Sequence, residues 1–282
     1  MDESTIRQVD MREVSAVERL FADARFVFQR AWLNDLAECS RAGLLFAAWE
    51  RGHARGAMAC VPQNPLAFTL CGAAFTDEED MPRSLAPLLQ LTLRRLEEAG
   101  ASLLTYVGTE DWLVARLAAA DFALEDQVIT LLKTGWDVPE SDEGEGIRIR
   151  PAEPTDLDDL TSLDARAFPA EWHYGRGVLN RALHSSQVFL VADDAGLIGY
   201  AYGDIQGGSA HLTRLAVAPE QQGRGAGAAL LGETVRAFRR RGAWWITVNT
   251  QKSNILSQKL YQRFGFQSIG QSVPVLIRRL GR

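Results

Sequence analysis

The stretch that most constrains this chain is Gln222-Gly223-Arg224-Gly225-Ala226-Gly227, set between an apolar strand pattern and a long amphipathic helix pattern. Leu212-Thr213-Arg214-Leu215-Ala216-Val217 runs ahead of it, and Ala228-Ala229-Leu230-Leu231 follows. A strand that turns into a helix through alternate glycines lacks the Cβ atoms that would keep a ligand away from its backbone. The N–H groups of the first helical turn have no intrahelical acceptors, and the helix dipole favours an anion beside them. The stretch therefore reads as a cradle for a phosphate or pyrophosphate. A Walker A loop is excluded, because no Lys lies in or directly after the glycines. A dinucleotide fingerprint is excluded too, because the next strand, Trp244-Trp245-Ile246-Thr247-Val248-Asn249, carries no carboxylate to hold a ribose.

That strand leads through Thr250-Gln251-Lys252-Ser253-Asn254 into a short helix over 255–263, and then into Phe264-Gly265-Phe266. Here the chain resembles the GNAT superfamily of N-acetyltransferases. That family carries a Gln/Arg-x-x-Gly-x-Gly/Ala loop and, some thirty residues later, an Asn followed by Leu-Tyr and Gly-Phe. Gln222, Gly225 and Gly227 match the first pattern; Asn254, Leu260, Tyr261, Gly265 and Phe266 match the second. The resemblance runs from about residue 146 to 280, half of the chain. It implies an acetyl-CoA-dependent N-acetyltransferase working by direct transfer in a ternary complex, with acetyl-CoA as co-substrate and no metal.

The resemblance also implies roles. The backbone of Leu215, Ala216 and Val217 would meet the acetyl and pantetheine groups. The amides from Gln222 through Gly223, Arg224, Gly225, Ala226, Gly227 and Ala228 would meet the pyrophosphate, with Arg224 adding a cation. Tyr261 would be the general acid, since a phenol is protonated at neutral pH and can give its proton to a departing thiolate. Asn254 would cap its helix, bond the pantetheine amide, or do both. The general base departs from the family pattern, since Asn249 stands where several of these enzymes place a glutamate. Glu171, in the aromatic run Phe168-Pro169-Ala170-Glu171-Trp172-His173-Tyr174, is the leading candidate, ahead of His173, Asp204 and His211. A covalent acyl-enzyme is not expected, because no Ser/His/Asp or Cys/His arrangement accompanies the cradle.

Composition narrows the class further. At 46% hydrophobic and 23% charged residues, the chain can build ordinary cores. No apolar run is long enough to span a bilayer, and the N-terminal residues lack a charged-then-apolar signal pattern, so a cytoplasmic location is expected. Cys39, Cys60 and Cys71 have no metal-ligand spacing and read as buried free thiols. A formal net charge of −6 argues against a nucleic-acid footprint. The Arg236, Arg239, Arg240 and Arg241 cluster reads as the basic end of a helix, and Trp244-Trp245 as core packing. The expected partner is a small-molecule or peptide amine; a homodimer is left open.

The chain divides at the acidic, Pro- and Gly-bearing run 139–146, which reads as a linker. On either side the same order of elements occurs at an offset of about 144 residues. The second half shows a strand at 147–151, helices at 155–168 and 176–184, a hairpin of 188–193 with 197–204, and a strand at 210–218. The first half shows strands at 44–49, 56–61, 66–75, 102–107 and 128–132, with helices at 85–99 and 112–120. The counterpart of the cradle there is Glu78-Glu79-Asp80-Met81-Pro82-Arg83, whose carboxylates would repel a pyrophosphate. Leu117 matches Tyr261, and Glu110 matches Asn254. The fold class expected is α/β, with two GNAT-like domains whose mostly antiparallel, splayed sheets are flanked by helices. Residues 1–138 would be a degenerate copy without the phosphate cradle and 147–282 the acetyl-CoA-binding copy. Two other functions stay open: a non-catalytic acyl-CoA sensor, and a tandem acyltransferase acting on a thiol-metabolite or aminoacylated precursor.

Overall fold

The structure is a computed structural model that describes residues 4–30, 36–135, 137–139 and 146–281. In chain order the elements are β1 (Ser4–Gln8), α1 (Val14–Asp23), β2 (Phe26–Gln29), α2 (Leu36–Arg41), β3 (Leu45–Glu50), β4 (His53–Pro62), β5 (Ala67–Phe75), α3 (Asp80–Glu98), β6 (Leu103–Val107), α4 (Asp111–Ala119) and β7 (Ala123–Lys133). The second half follows with β8 (Arg148–Pro151), α5 (Leu157–Ala167), α6 (Arg176–Ser185), β9 (Val188–Asp193), β10 (Leu197–Gln206), β11 (Ser209–Val217), α7 (Ala226–Arg240), β12 (Trp245–Gln251), α8 (Ile255–Arg263) and β13 (Gln267–Arg279). The internal repeat is literal. His53 and Leu197 open β4 and β10, Asp111 and Ile255 open α4 and α8, and Ala123 and Gln267 open β7 and β13, each pair 144 residues apart.

Grouped by compactness, the chain forms one unit from Met1–Glu125 with Pro274–Arg282, and a second from Asp126–Val273. This differs from the division expected at 139–146, of which 140–145 lie outside the described residues. The reason is an exchange of last strands. The end of β13 pairs antiparallel with β6, Val275 opposite Val107 through Arg279 opposite Leu103. The end of β7 pairs antiparallel with β12, Val128 opposite Gln251 through Lys133 opposite Ile246. Each exchanged strand covers an edge whose N–H and C=O groups would otherwise stand unpaired.

In the first unit the strands run β1-β3-β4-β5-β6-β13, antiparallel except for β5 beside β6, and β2 pairs with β5 as well. All nine residues of β5 are buried, as a strand covered on both faces requires. α3 and α4 pack one face through Leu85, Leu88, Leu89, Leu96, Leu113 and Leu117. α1 and α2 pack the other through Val14, Val17, Leu20 and Leu36. Cys39, Cys60 and Cys71 are buried thiols of this unit. The first four of these elements, β1 to α2, were not read from the sequence.

The second unit repeats the plan as β8-β9-β10-β11-β12-β7, with β11 beside β12 as its parallel pair. α7 buries Leu230, Leu231, Val235 and Phe238 against one face, where α8 also packs. α5 and α6 bury Leu157, Leu160, Leu163 and Leu179 against the other. Trp244 and Trp245 are not core residues: they are 68% and 48% exposed. They stand at the open end of the sheet, where the Trp244 N–H donates to Gly208 O at 2.7 Å before the parallel ladder begins. Among the described residues no helix is long and apolar enough to cross a membrane.

The exchange has a measurable consequence. Leu276 is 3% exposed in the core of the first unit. Leu276→Ala should cost about 2–5 kcal/mol in denaturant unfolding. Hydrogen exchange should show the loosening in β5 and β6; loosening confined to α7 would overturn the strand assignment.

Candidate functional site

The site grows from one parting of strands. β11 and β12 are paired in parallel from Ser209 with Trp245 to Leu212 with Val248. Beyond Leu212, β11 continues to Val217 on β10 alone, while β12 continues to Gln251 on β7. The two strands thus separate, and the backbone of 213–217 presents an edge towards the gap. The separation coincides with a bulge: Tyr202 faces Arg214 and Gly203 faces Leu212, so Thr213 is the extra residue. The bulge turns Arg214 and Ala216 to the face of α5 and α6, and Leu215 and Val217 to the face of α7. Gly203 is required here, since a Cβ would lie 2.0 Å from His211 O.

At the end of β11 the chain makes a helical turn at Pro219–Gln221 and enters the glycine stretch. Gly223 and Gly225 both adopt left-handed backbone, with φ of 78° and 85°. Gly225 is the N-cap of α7, with Ala226 as the first helical residue. Glycine adopts this left-handed backbone without strain, and the first N–H groups of α7 have no intrahelical acceptors. The Gln222 side chain donates to Val217 O at 3.2 Å, tying the turn to the strand end. A Cβ on Gly227 would sit in ordinary contact with Leu260, Val217 and Leu215, which brings α8 against the first turn of α7. Arg224 is exposed; it forms an ion pair with Asp194 at 3.0 Å and donates to Gln221. So exposed a pair contributes little, and a stronger anion can displace it. Left-handed glycines, unpaired helix-start amides and one exposed arginine are the groups here that could hold a pyrophosphate.

The wall on the α5 side is held by a buried network that sequence reasoning missed. The Asp164 carboxylate accepts from Arg214 Nε at 3.0 Å and Nη2 at 2.8 Å. It also accepts from the Tyr200 hydroxyl and from the Tyr174 backbone N–H. Asp164 is fully buried, and the Arg214 side chain is 8% exposed. The guanidinium lies between two rings, 3.6 Å from the Phe168 centroid and 4.0 Å from that of Tyr174, and donates to Trp172 O at 2.8 Å. One ion pair therefore fastens the whole run 168–174 to the sheet. The signal was present: Asp164 sits at a core-facing position of an otherwise leucine-lined helix, and Arg214 on an apolar strand.

Tyr261 is 5% exposed on α8, its ring 5.6 Å from Phe266. Burial pushes its phenol well above the ordinary value, and the positive charge of Arg214 pulls the other way. The group therefore holds its proton at neutral pH. Asn254 caps α8, its Oδ1 accepting from Ser257 N at 3.1 Å. Asn249 Oδ1 accepts from the Thr130 hydroxyl at 2.9 Å. Glu171 lies half-buried in the run that Arg214 fastens. His211 lies on β11 opposite Asp204, with Nδ1 2.9 Å from Thr247 Oγ1. Thr247 Oγ1 also lies 3.3 Å from Ala210 O. Burial lowers the His211 pKa, with Asp204 opposing, and the ring is neutral at neutral pH. Among the described residues no His/Cys/Asp/Glu group could hold a metal ion.

Residues 157–266 match the model of the acetyltransferase (GNAT) family. A protein named mycothiol acetyltransferase from Clavibacter sepedonicus is 31% identical over 200 residues, which is 65% of this chain and 65% of the relative's length. The curated relative is thus matched over less than two thirds of its length. A GCN5-related N-acetyltransferase structure from Kribbella flavida superposes with a TM-score of 0.71 at 14% identity, covering 99% of this chain and 71% of its own. A tandem GNAT protein from the clavulanic acid biosynthesis pathway gives 0.65 at 13% identity, covering 99% of both chains. The two structural likenesses establish the fold.

Asp164→Asn leaves a buried guanidinium without its counter-charge, and should cost about 3–5 kcal/mol of stability in denaturant titrations. A loss within experimental error would mean that the run 168–174 is held by its aromatic contacts alone.

Proposed function

We propose that this chain, whose residues 157–266 match the model of the acetyltransferase (GNAT) family, transfers the acetyl group of acetyl-CoA directly to an amine. The observation that carries the reading is the succession of parted parallel strands and left-handed glycine turn. One element offers a free backbone edge and the next offers helix amides, a combination suited to an extended chain ending in a diphosphate. Acetyl-CoA supplies the activated thioester. The edge at Leu215, Ala216 and Val217 aligns its arm, and amides from Gln222 to Ala228 hold its pyrophosphate. Arg224 leaves Asp194 to add charge. Asn254 fixes the start of α8 and so the position of Tyr261, which donates a proton to the departing sulfur.

Glu171 takes the proton of the acceptor amine, and the run 168–174 walls the acceptor. His211 is the second reading for the base, favoured by its neutral ring. The first half is a degenerate copy of the second. The acceptor is a small-molecule or peptide amine in the cytoplasm. The relative named mycothiol acetyltransferase favours a thiol-metabolite precursor within that class.

Tyr261→Phe should keep the Kd for coenzyme A and lower kcat by roughly 10²-fold or more in a thiol-release assay. Unchanged turnover would reassign the acid. Gly225→Glu should abolish coenzyme binding in calorimetry, because it adds strain, bulk and like charge at the turn. Tight coenzyme binding by the parent chain with no turnover on any amine would favour the sensor instead.

A further inference from the structure

The parting of strands occurs twice, and the first unit deals with it differently. β5 and β6 are paired in parallel from Ala67 with Leu103 to Thr69 with Thr105, and then separate. Aligned at their ends, Phe75 of β5 matches Val217 of β11, so 73–75 stand where 215–217 stand in the second unit. Along that stretch the gap-side edge of β5 is taken by β2. Phe26 pairs with Phe75, Val27 with Ala74, Phe28 with Ala73 and Gln29 with Gly72, all antiparallel. The ladder runs on at both ends, where Arg25 N donates to Thr76 O at 3.2 Å and Arg30 N to Cys71 O at 3.0 Å. β4 holds the other edge, so this strand has no backbone left to offer.

The inserted strand is bonded to the far wall as well. The Arg30 guanidinium donates to Val107 O, the last residue of β6, at 3.2 Å. The Phe28 ring lies 4.8 Å from that of Tyr106 on β6, and the Phe26 ring 5.6 Å from that of Trp112 on α4. Phe28 is 3% exposed, so the strand is part of the core rather than a flap.

The helix entrance is filled too. Where the second unit has left-handed glycines, Glu79 precedes α3 in ordinary right-handed backbone. The Asp77 carboxylate accepts from the N–H groups of Glu79 at 2.8 Å and Asp80 at 2.9 Å. These hydrogen bonds hold the Asp77 carboxyl below its usual range. An anion arriving there meets amides already bonded to an anion.

We infer that the first unit carries its own occupant: β2 stands in for the extended arm of a coenzyme and Asp77 for its phosphate, so the chain binds one acyl-coenzyme and not two. The inference rests on reading the second unit as the acetyl-CoA site. It also gives the first unit a reason to persist: its groove is filled by chain, and its fold is complete without a ligand.

Calorimetric titration of the full chain with coenzyme A should give one equivalent, and Gly225→Glu should remove it entirely. Hydrogen exchange supplies the independent arm. The gap-side amides of 72–75 should be protected before coenzyme A is added and unchanged after it, whereas those of 213–217 should slow only on addition. A second equivalent, binding retained by Gly225→Glu, or protection of 72–75 that appears only with coenzyme would overturn the inference. No binding at all, with 72–75 already protected, would remove the function proposed above and leave the self-filled groove standing.

Discussion

The structure depends on a constraint that two parallel strands impose when they pair briefly and then separate. β11 and β12 share four rungs and part at Leu212 and Val248. Parallel neighbours cannot be joined by a tight turn, so a helix must cross over between them. α7 is that crossover, and its N-terminus lies at the end of β11, beside the gap. A strand edge in need of partners and a helix end in need of an anion are therefore brought together by topology. The glycines adjust the last few ångströms.

The gap stays shaped because its wall is pinned. Asp164 and Arg214 are a desolvated pair whose remaining hydrogen-bonding capacity is used by Tyr200, Tyr174 and Trp172. Removing either partner of such a pair strands a buried charge, so the placement of the run 168–174 against the sheet is tied to both residues. Arg214 serves a second purpose, since its charge also acts on the Tyr261 phenol. The charge that fastens the run 168–174 thus also opposes the effect of burial on that phenol.

The two halves share their packing positions and differ at their polar ones. α4 and α8 occupy the same place in the repeat, and both are followed by a left-handed residue, Asp121 and Gly265. At the helix start, however, Asn254 caps with its side chain, while the Glu110 carboxylate accepts from the Tyr106 hydroxyl. Leu117, fully buried, stands where the second half has Tyr261. Packing positions are kept, and polar positions are reassigned to internal partners.

Much was legible in advance. β9 and α8 fall at their expected limits because both are framed by clear stops and starts: a Gly-bearing turn after Asp193, and Asn254 before Ile255. The glycine turn was legible because a left-handed residue restricts the choice of amino acid at its own position. β2 was not legible: Phe26-Val27-Phe28-Gln29 is four residues long, and what it pairs with lies some 45 residues on. The exchange of β7 and β13 was hidden for the same reason, as local pattern carries no record of which edge a strand will join. Trp244 and Trp245 misled, since an apolar strand start reads as core until the sheet is seen to end there. By itself, then, the sequence determined most element types, the repeat and the left-handed glycine turn, all of which follow from preferences local to a few residues. Tertiary structure alone decided that β2 takes the edge of β5 and that β7 and β13 exchange, because pairing partners are chosen across long stretches of chain by packing and by the need to satisfy every buried backbone group.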